Sequence, residues 1–477
     1  MGICSSSRIP PPGGTPIKPL FVYFPAAGRG ELSRLISAAG DLAIDDYPIA
    51  VGYKSYAGFF GQMPFVKHGS FSLCQSSACE KYLAAMSPRF KDLTSKQVAI
   101  DNMFAATLED MRVGCYKVTF GDANAKANAK ETIPPHLDKY LTFLESRVPD
   151  KGFVHGLDFP TTADVVLVNF AEAAGPFNDA IEFAGGYDWQ SKYPKIKGLV
   201  DRAKLAVGVK EYVETSGTLK QKINISFMGG IILKTLGHAV TFQSLRPASL
   251  SASSQPPPIG PIRPAVVLSG TPEMLYFPVA GRGELARLIS ALGGVDLKVT
   301  FPGASWKEQL GFLGSLPILK HGDLSICQSG AIESYLAAIS PKFMSLTAQQ
   351  RAYDDMFAAT KEDMLQACAK VVFANEESKA TLSAALPGVL EKFLTVIEDL
   401  VPESGFVQGL GFPTVADLVL LNFAEAVMPF QKAIELAGGY AWHDKFPKIK
   451  SNIDRTKEVP EVKNYLASQS CSMKGSL

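Results

Sequence analysis

The sequence predicts an α/β unit followed by an all-helical unit, and predicts that pair twice. Three observations carry this. The stretch "VYFPAAGRGELSRLISAAG" at 22–40 returns as "LYFPVAGRGELARLISALG" at 275–293. The register between the copies then never slips. Tyr23 and Tyr276, Pro64 and Pro317, Gln75 and Gln328, Asp164 and Asp417, Trp189 and Trp442, and Tyr212 and Tyr465 all stand 253 residues apart. Finally, each copy opens with short apolar runs broken by Gly and Pro, and continues with helical periodicity. A copy of about 195 residues is too long for a solenoid repeat, so each is a domain or a fixed pair of domains.

The elements follow in order. "LFVYF" is a short apolar run bounded by prolines, the pattern of a buried strand. After a Gly/Pro/Ala loop, Leu32, Leu35, Ile36 and Ala39 recur at the spacing of one buried helix face. "PFVK" and "SFSL" flank His68-Gly69, which reads as a two-residue hairpin turn, and "PILK" and "LSIC" flank His321-Gly322 likewise. "QSSACEKYLAAM" reads as a helix. Beyond it each copy is helical, and Thr161 with Asp164, like Thr414 with Asp417, has the spacing of a capping box. The expected divisions are a tail at 1–19, α/β units at 20–90 and 271–343, helical units at 91–215 and 344–477, and a linker at 216–270.

The totals exclude several classes. The chain has 477 residues and a formal net charge of +1, so no global charge argues for nucleic acid. Seven cysteines, with no C-x-x-C and no zinc-ligand spacing, fit a reducing compartment and no metal. No secretory signal is visible, and a cytoplasmic location is expected. "MGICSSS" matches an N-myristoylation pattern with Gly2 as acceptor, and Cys4 stands where a second acyl chain would go. Two chains anchor stably where one does not. The linker is rich in Ser and Pro, and its charges are Lys220, Lys222, Lys234, Arg246 and Arg263 with no acid. Such a basic segment beside an acylated terminus suits the cytosolic face of an anionic membrane, although a solvated connector is the plainer reading.

A strand ending in tyrosine, a proline opening a hairpin, Gln-Ser opening a helix and a helical unit with a capping box together resemble the cytosolic glutathione transferases. "YF" followed by "GRGE" is similar to the sigma class, which includes haematopoietic prostaglandin D synthase. The resemblance implies a thioredoxin-like domain and a helical domain in each copy, with glutathione as co-substrate. It implies that Tyr23 and Tyr276 hydrogen-bond the glutathione sulfur. A hydroxyl donor favours thiolate over thiol, and a shift of about 2 pKa units needs ~2.7 kcal/mol. Pro64 and Pro317 match the family's cis-proline, whose preceding residues, Met63 and Leu316, would pair with the cysteinyl backbone. Gln75-Ser76 and Gln328-Ser329 match the pair that holds the γ-glutamyl end at a helix start. Arg29 and Arg282 would support the tyrosine or bridge to Glu31 and Glu284.

In the family, an acid at Glu109-Asp110 or Glu362-Asp363 reaches the glutathione of the partner subunit; Asp110 and Asp363 are the candidates here. The sigma-class Trp/Lys clamp for the glycyl carboxylate is incomplete, and Lys54, Trp306 and Lys307 are the available substitutes. Cys74 and Cys327 precede the Gln and read as buried small hydrophobes. The expected activity is transfer of glutathione to small hydrophobic electrophiles at two sites per chain, a detoxification chemistry. The alternatives are a glutathione-dependent isomerase or a non-catalytic scaffold. Family members are homodimers, so the two copies are expected to pair within one chain. A flexible linker of this length spans ~40 Å.

Overall fold

The computed structural model describes residues 18–49, 58–221, 268–303 and 313–475. Gly2, Cys4, Lys54, Trp306, Lys307 and most of the linker lie outside these residues.

The first copy opens with β1 (Leu20–Tyr23), α1 (Glu31–Ala39), β2 (Asp45–Pro48), β3 (Phe65–His68), β4 (Phe71–Cys74) and α2 (Ser76–Met86). Its sheet runs β2-β1-β3-β4, with β1 parallel to β2 and antiparallel to β3. The parallel pair needs a crossover, and α1 supplies it. Leu32, Leu35, Ile36 and Ala39 are fully buried, so the predicted apolar face is the one that packs. The hairpin differs from expectation. Its turn is Gly69-Ser70, because His68 is the last strand residue and pairs with Phe71. The imidazole is buried, with its Nδ1 2.8 Å from the Tyr82 hydroxyl, so it is a strand side chain rather than a turn. The second copy repeats this, with Gly322-Asp323 as the turn and His321 against Tyr335.

The helical part of copy one contains α3 (Ser95–Thr119), α4 (Ala129–Glu145), α5 (Thr162–Glu172), α6 (Pro194–Ala203) and α7 (Val209–Thr215), with shorter helices between. Copy two contains β5 (Glu273–Leu275), α8 (Glu284–Gly293), β6 (Lys298–Thr300), β7 (Ile318–His321), β8 (Leu324–Cys327), α9 (Ser329–Ile339), α10 (Ala348–Val372), α11 (Glu376–Leu400), α12 (Val415–Glu425), α13 (Pro447–Lys457) and α14 (Pro460–Ala467). Its sheet has the equivalent order β6-β5-β7-β8. This is a duplicated thioredoxin-like and helical architecture. By length and apolarity alone α11 could cross a membrane, but Leu386, Leu390, Leu394 and Ile397 bury one face in the protein.

The capping boxes form at Thr161 and Thr414. The Asp164 carboxylate accepts from the Thr161 amide at 2.8 Å and from the Val154 amide at 2.9 Å. The Thr161 hydroxyl donates to Asp101 of α3 at 2.8 Å, so the cap also ties α5 to the central helix. Between the copies, α2 packs on α10 and α9 on α3.

Candidate active site

Tyr23 ends β1 and is 7 % exposed. Its hydroxyl accepts from the Arg29 backbone N–H at 2.9 Å, and Tyr276 accepts from the Arg282 N–H at the same distance. The A-G-R-G-E string makes this approach feasible. Gly28 has φ +45, and a Cβ there would stand 2.5 Å from the Tyr23 hydroxyl oxygen. A Cβ on Gly30 would stand 2.3 Å from the Tyr23 Cδ1 at the ring edge, and Gly281 and Gly283 repeat both constraints around Tyr276. Gly28 N–H in turn donates to the Gly175 carbonyl, and Gly281 N–H to the Met428 carbonyl at 3.1 Å. The helical part of each copy therefore fixes the loop that fixes the tyrosine. Burial pushes the Tyr23 pKa up from the ordinary phenol value, against the opposing Arg29 amide and the charges of Arg29, Arg112 and Arg34. The Tyr276 hydroxyl is likewise raised by burial. Both are neutral O–H groups near neutral pH, already accepting from the chain and able to donate.

Arg29 does not bridge to Glu31. Its guanidinium donates to Glu109 at 2.9 and 2.6 Å, and Arg282 does the same to Glu362 at 3.0 and 2.6 Å. Glu31 is fully buried and bonds Arg34, Thr218 and the Tyr212 hydroxyl, the last at 2.5 Å. Glu284 bonds Arg287 and Tyr465 equivalently. Two residues at the start of α1 separate the two roles. Arg29 precedes α1 and faces the tyrosine loop, whereas Glu31 points into the core and anchors the C-terminal helix of its copy.

Gln75 and Gln328 each precede a helix, as expected, and both hold φ +71. That region is costly for a non-glycine residue, by roughly 1–3 kcal/mol, and such residues cluster at functional sites. The side chains reach across the copies. Gln75 Nε2 donates to Asp363 Oδ2 at 2.9 Å, and Gln328 Nε2 to Asp110 Oδ2 at 2.8 Å. Burial raises the Asp363 pKa, opposed by the Gln75 bond and the charge of Arg29. Thus Tyr23, Arg29, Glu109 and Gln75 of copy one share a region with Asp363 of copy two. The Met63-Pro64 and Leu316-Pro317 bonds are cis. Cys74 and Cys327 are buried, and burial pushes each thiol up to about 12, consistent with packing roles. Among the described residues no group of three or more His, Cys, Asp or Glu could hold a metal.

The copies differ beside the tyrosine. Arg112 is 1 % exposed and bonds Glu109 through Nη1, while its Nε and Nη2 are buried without hydrogen-bond partners and the guanidinium lies over the Phe177 ring. Arg29 lies over the Tyr116 ring at 5.5 Å. Leu365 and Ala369 occupy the equivalent positions in copy two. The sequence singled out none of the paired glycines, nor Glu109 as the arginine's partner. The signal was present in the undivided repeat of A-G-R-G-E, whose two glycines flank the arginine in both copies.

A duplicated fold of this kind, with a buried strand-end tyrosine held by the following loop, defines a class, and comparison with known proteins shows what it is similar to. Residues 109–216 and 362–469 each match the family "Glutathione S-transferase, C-terminal domain". These two segments together make up just under half of the chain, and in them each copy is similar to the C-terminal domain of glutathione S-transferases. The chain is 26 % identical over 204 residues to glutathione S-transferase P 1 of Xenopus laevis, covering 41 % of this chain and 91 % of the relative. It is also 26 % identical over 205 residues to probable glutathione S-transferase 5 of Caenorhabditis elegans, covering 40 % and 94 %. Among solved structures, a trimeric glutathione transferase of Leishmania aligns over 96 % of this chain and 97 % of its own, at 14 % identity and a TM-score of 0.35.

Proposed function

We propose that the chain is a glutathione transferase with two thiolate-activating sites, one at Tyr23 and one at Tyr276, each conjugating glutathione to small hydrophobic electrophiles. The observation that supports this most is the tyrosine hydroxyl fixed by a backbone amide and closed in by two glycines, present in both copies. A neutral, partly desolvated O–H directed at a thiol sulfur stabilises the thiolate more than the thiol. The thiol proton leaves to solvent. The sulfur lone pair then forms the new C–S bond at the electrophilic carbon, and the displaced group or carbanion carries away the electron pair. Arg29 and Arg282 add positive charge beside the hydroxyl and preorganise it.

Gln75 and Ser76, with Gln328 and Ser329, would hold the γ-glutamyl end at the starts of α2 and α9, where first-turn amides favour a carboxylate. Met63 and Leu316 would bond the cysteinyl backbone. Asp110 and Asp363 would complete the opposite copy's site through the Gln contacts, so the copies would pair as an intramolecular counterpart of a homodimer. The sigma-class assignment rests on the "YF…GRGE" string, and Lys54, Trp306 and Lys307 remain the candidates for the glycyl carboxylate. Arg112 and Tyr116 against Leu365 and Ala369 favour different second substrates in the two copies. A cytosolic protein tethered by acylation at Gly2 and Cys4 is the proposed location, testable by mass spectrometry of the N-terminal peptide.

Single and double Tyr→Phe variants at 23 and 276, assayed with chlorodinitrobenzene, test the reading. Each single variant should remove one site's contribution. The double variant should lose about 100-fold in turnover yet stay on glutathione resin. Unchanged rates in the double variant would contradict the tyrosine assignment, and failure to bind resin in the unmodified chain would favour a scaffold.

A further inference from the structure

The contacts between the copies fall into two kinds. Some are symmetric. Gln75–Asp363 has its counterpart in Gln328–Asp110, and the Cys74–Met356 sulfur contact at 3.6 Å has its counterpart in Cys327 N to Met103 Sδ at 3.5 Å. These would form equally well between two first copies or two second copies. Others have no charged counterpart. Lys81 of α2 donates to Ser334 Oγ at 2.6 Å and to Asp355 of α10 at 2.7 Å. Lys81 and Ser334 are equivalent residues in touch with one another, so they sit on the pseudo-two-fold axis. The residue equivalent to Asp355 is Asn102. Lys96 of α3 pairs with Asp323 in the β7–β8 turn, and the equivalents are Gln349 and Ser70. Arg147 Nη1 donates to the Ser325 carbonyl at 3.1 Å, and Leu400 stands in its place in copy two.

In each of these three contacts the cation belongs to copy one, and in both ion pairs the carboxylate belongs to copy two. We propose that the two copies form a charge-coded pair, each interface accepting the other copy and rejecting its own kind. This rests on the intramolecular pairing proposed above. A self-complementary two-fold interface places equivalent residues opposite each other. Two first copies would set Lys81 against Lys81 at the axis, with Asn102 where each ammonium needs a carboxylate. Two second copies would set two Asp355 carboxylates near the axis with Ser334 in the place of Lys81, Lys361 being held by Glu333. The Lys81 and Asp355 side chains are only 20 % and 18 % exposed, so solvent screens neither mismatch well.

The neighbouring charges do not restore symmetry. Glu80 and Glu333 are buried beside Lys81 at equivalent positions, and Glu333 is already paired with Lys361 of its own copy, where copy one has Leu108. Arg351 lies near Asp355 but donates to the Phe343 and Leu346 carbonyls. Repulsion in the wrong pair, rather than extra attraction in the right one, gives the discrimination.

The test uses the full chain with a protease site inserted within 222–267 and cut after folding. Two cut preparations, carrying different tags on copy one, are mixed and allowed to exchange. Capture of one tag should bring down copy two and none of the other tag. Lys81→Glu and Asp355→Lys should each lower salt-resistant retention of copy two about tenfold. The K81E/D355K double variant should return to within about threefold of the parent, which also separates charge from misfolding. Capture of copy one by copy one as readily as by copy two would overturn the proposal, as would a double variant no better than the singles. If the unmodified halves part on cutting, the intramolecular pairing itself fails, and the charge code with it.

Discussion

A methyl group added at Gly30 would collide with the edge of the Tyr23 ring, although the backbone there, at φ −85, admits any residue. Gly30→Ala should therefore move the hydroxyl without straining the chain. In a Tyr276→Phe background, turnover should fall by roughly 10–100-fold while glutathione affinity stays within about threefold, because the loss is of a positioned donor. Steady-state kinetics separating kcat from KM checks this. The residue scale was only partly legible. Tyr23 announced itself by its place at a strand end in both copies. The partner of Arg29 did not, because Glu109 lies 80 residues away and Glu31 only two. Proximity in sequence favoured the wrong acid, and the direction of α1 decided against it.

Each copy buries a glutamate on the helix that follows its hairpin, and the two are compensated differently. Glu333 of α9 pairs with Lys361 of α10 at 2.7 Å, both nearly inaccessible. Glu80 of α2 has no such lysine, since Leu108 occupies that place. Burial pushes the Glu80 carboxyl up to about 8, with Arg112 the main opposing charge. An acid whose pKa is higher folded than unfolded holds its proton in the folded state, so this term weakens the fold as pH rises from about 4.5 to 8. Glu80→Gln should flatten that decline and gain roughly 1–3 kcal/mol at pH 8 relative to the parent, read from urea midpoints at pH 5 and 8. Lys361→Met should cost about 3 kcal/mol at pH 8 and less at pH 5, where Glu333 can take up a proton.

At the same scale, β1, α1 and α2 were readable from periodicity, whereas β2 was not. Its sequence, "DDYP", sits at the sheet edge with mostly exposed side chains, so burial left no pattern on it. The hairpin turn was misplaced by one residue because His68, a polar residue beside Gly, is in fact buried against Tyr82.

At the scale of the whole molecule, the gapless 253-residue register foretold two equivalent folds, and the structure has two sheets of the same order. What the register hid was the asymmetry. Lys81 and Ser334, or Arg112 and Leu365, are single substitutions that mean little until the copies face each other. On the proposed function, the cross-copy bonds would make each site depend on the other half. Asp363→Asn lies in copy two, yet in a Tyr276→Phe background it should raise the glutathione KM of the remaining copy-one site several-fold, about 1 kcal/mol for one charge-assisted bond. The matching Asp110→Asn change should leave that site's KM unchanged.

The central claim, two thiolate-activating tyrosines in one chain, is tested most directly by titrating glutathione bound to the full-length protein. Calorimetry would give the stoichiometry, and thiolate absorbance against pH would give the thiol pKa. The account predicts two glutathiones per chain, each with a thiol pKa lowered by about 2 units, about 2.7 kcal/mol per site. That shift should be lost from one of the two in Tyr23→Phe or Tyr276→Phe and from both in the double variant. Binding of one equivalent or none, or a bound thiol titrating as free glutathione does, would contradict it.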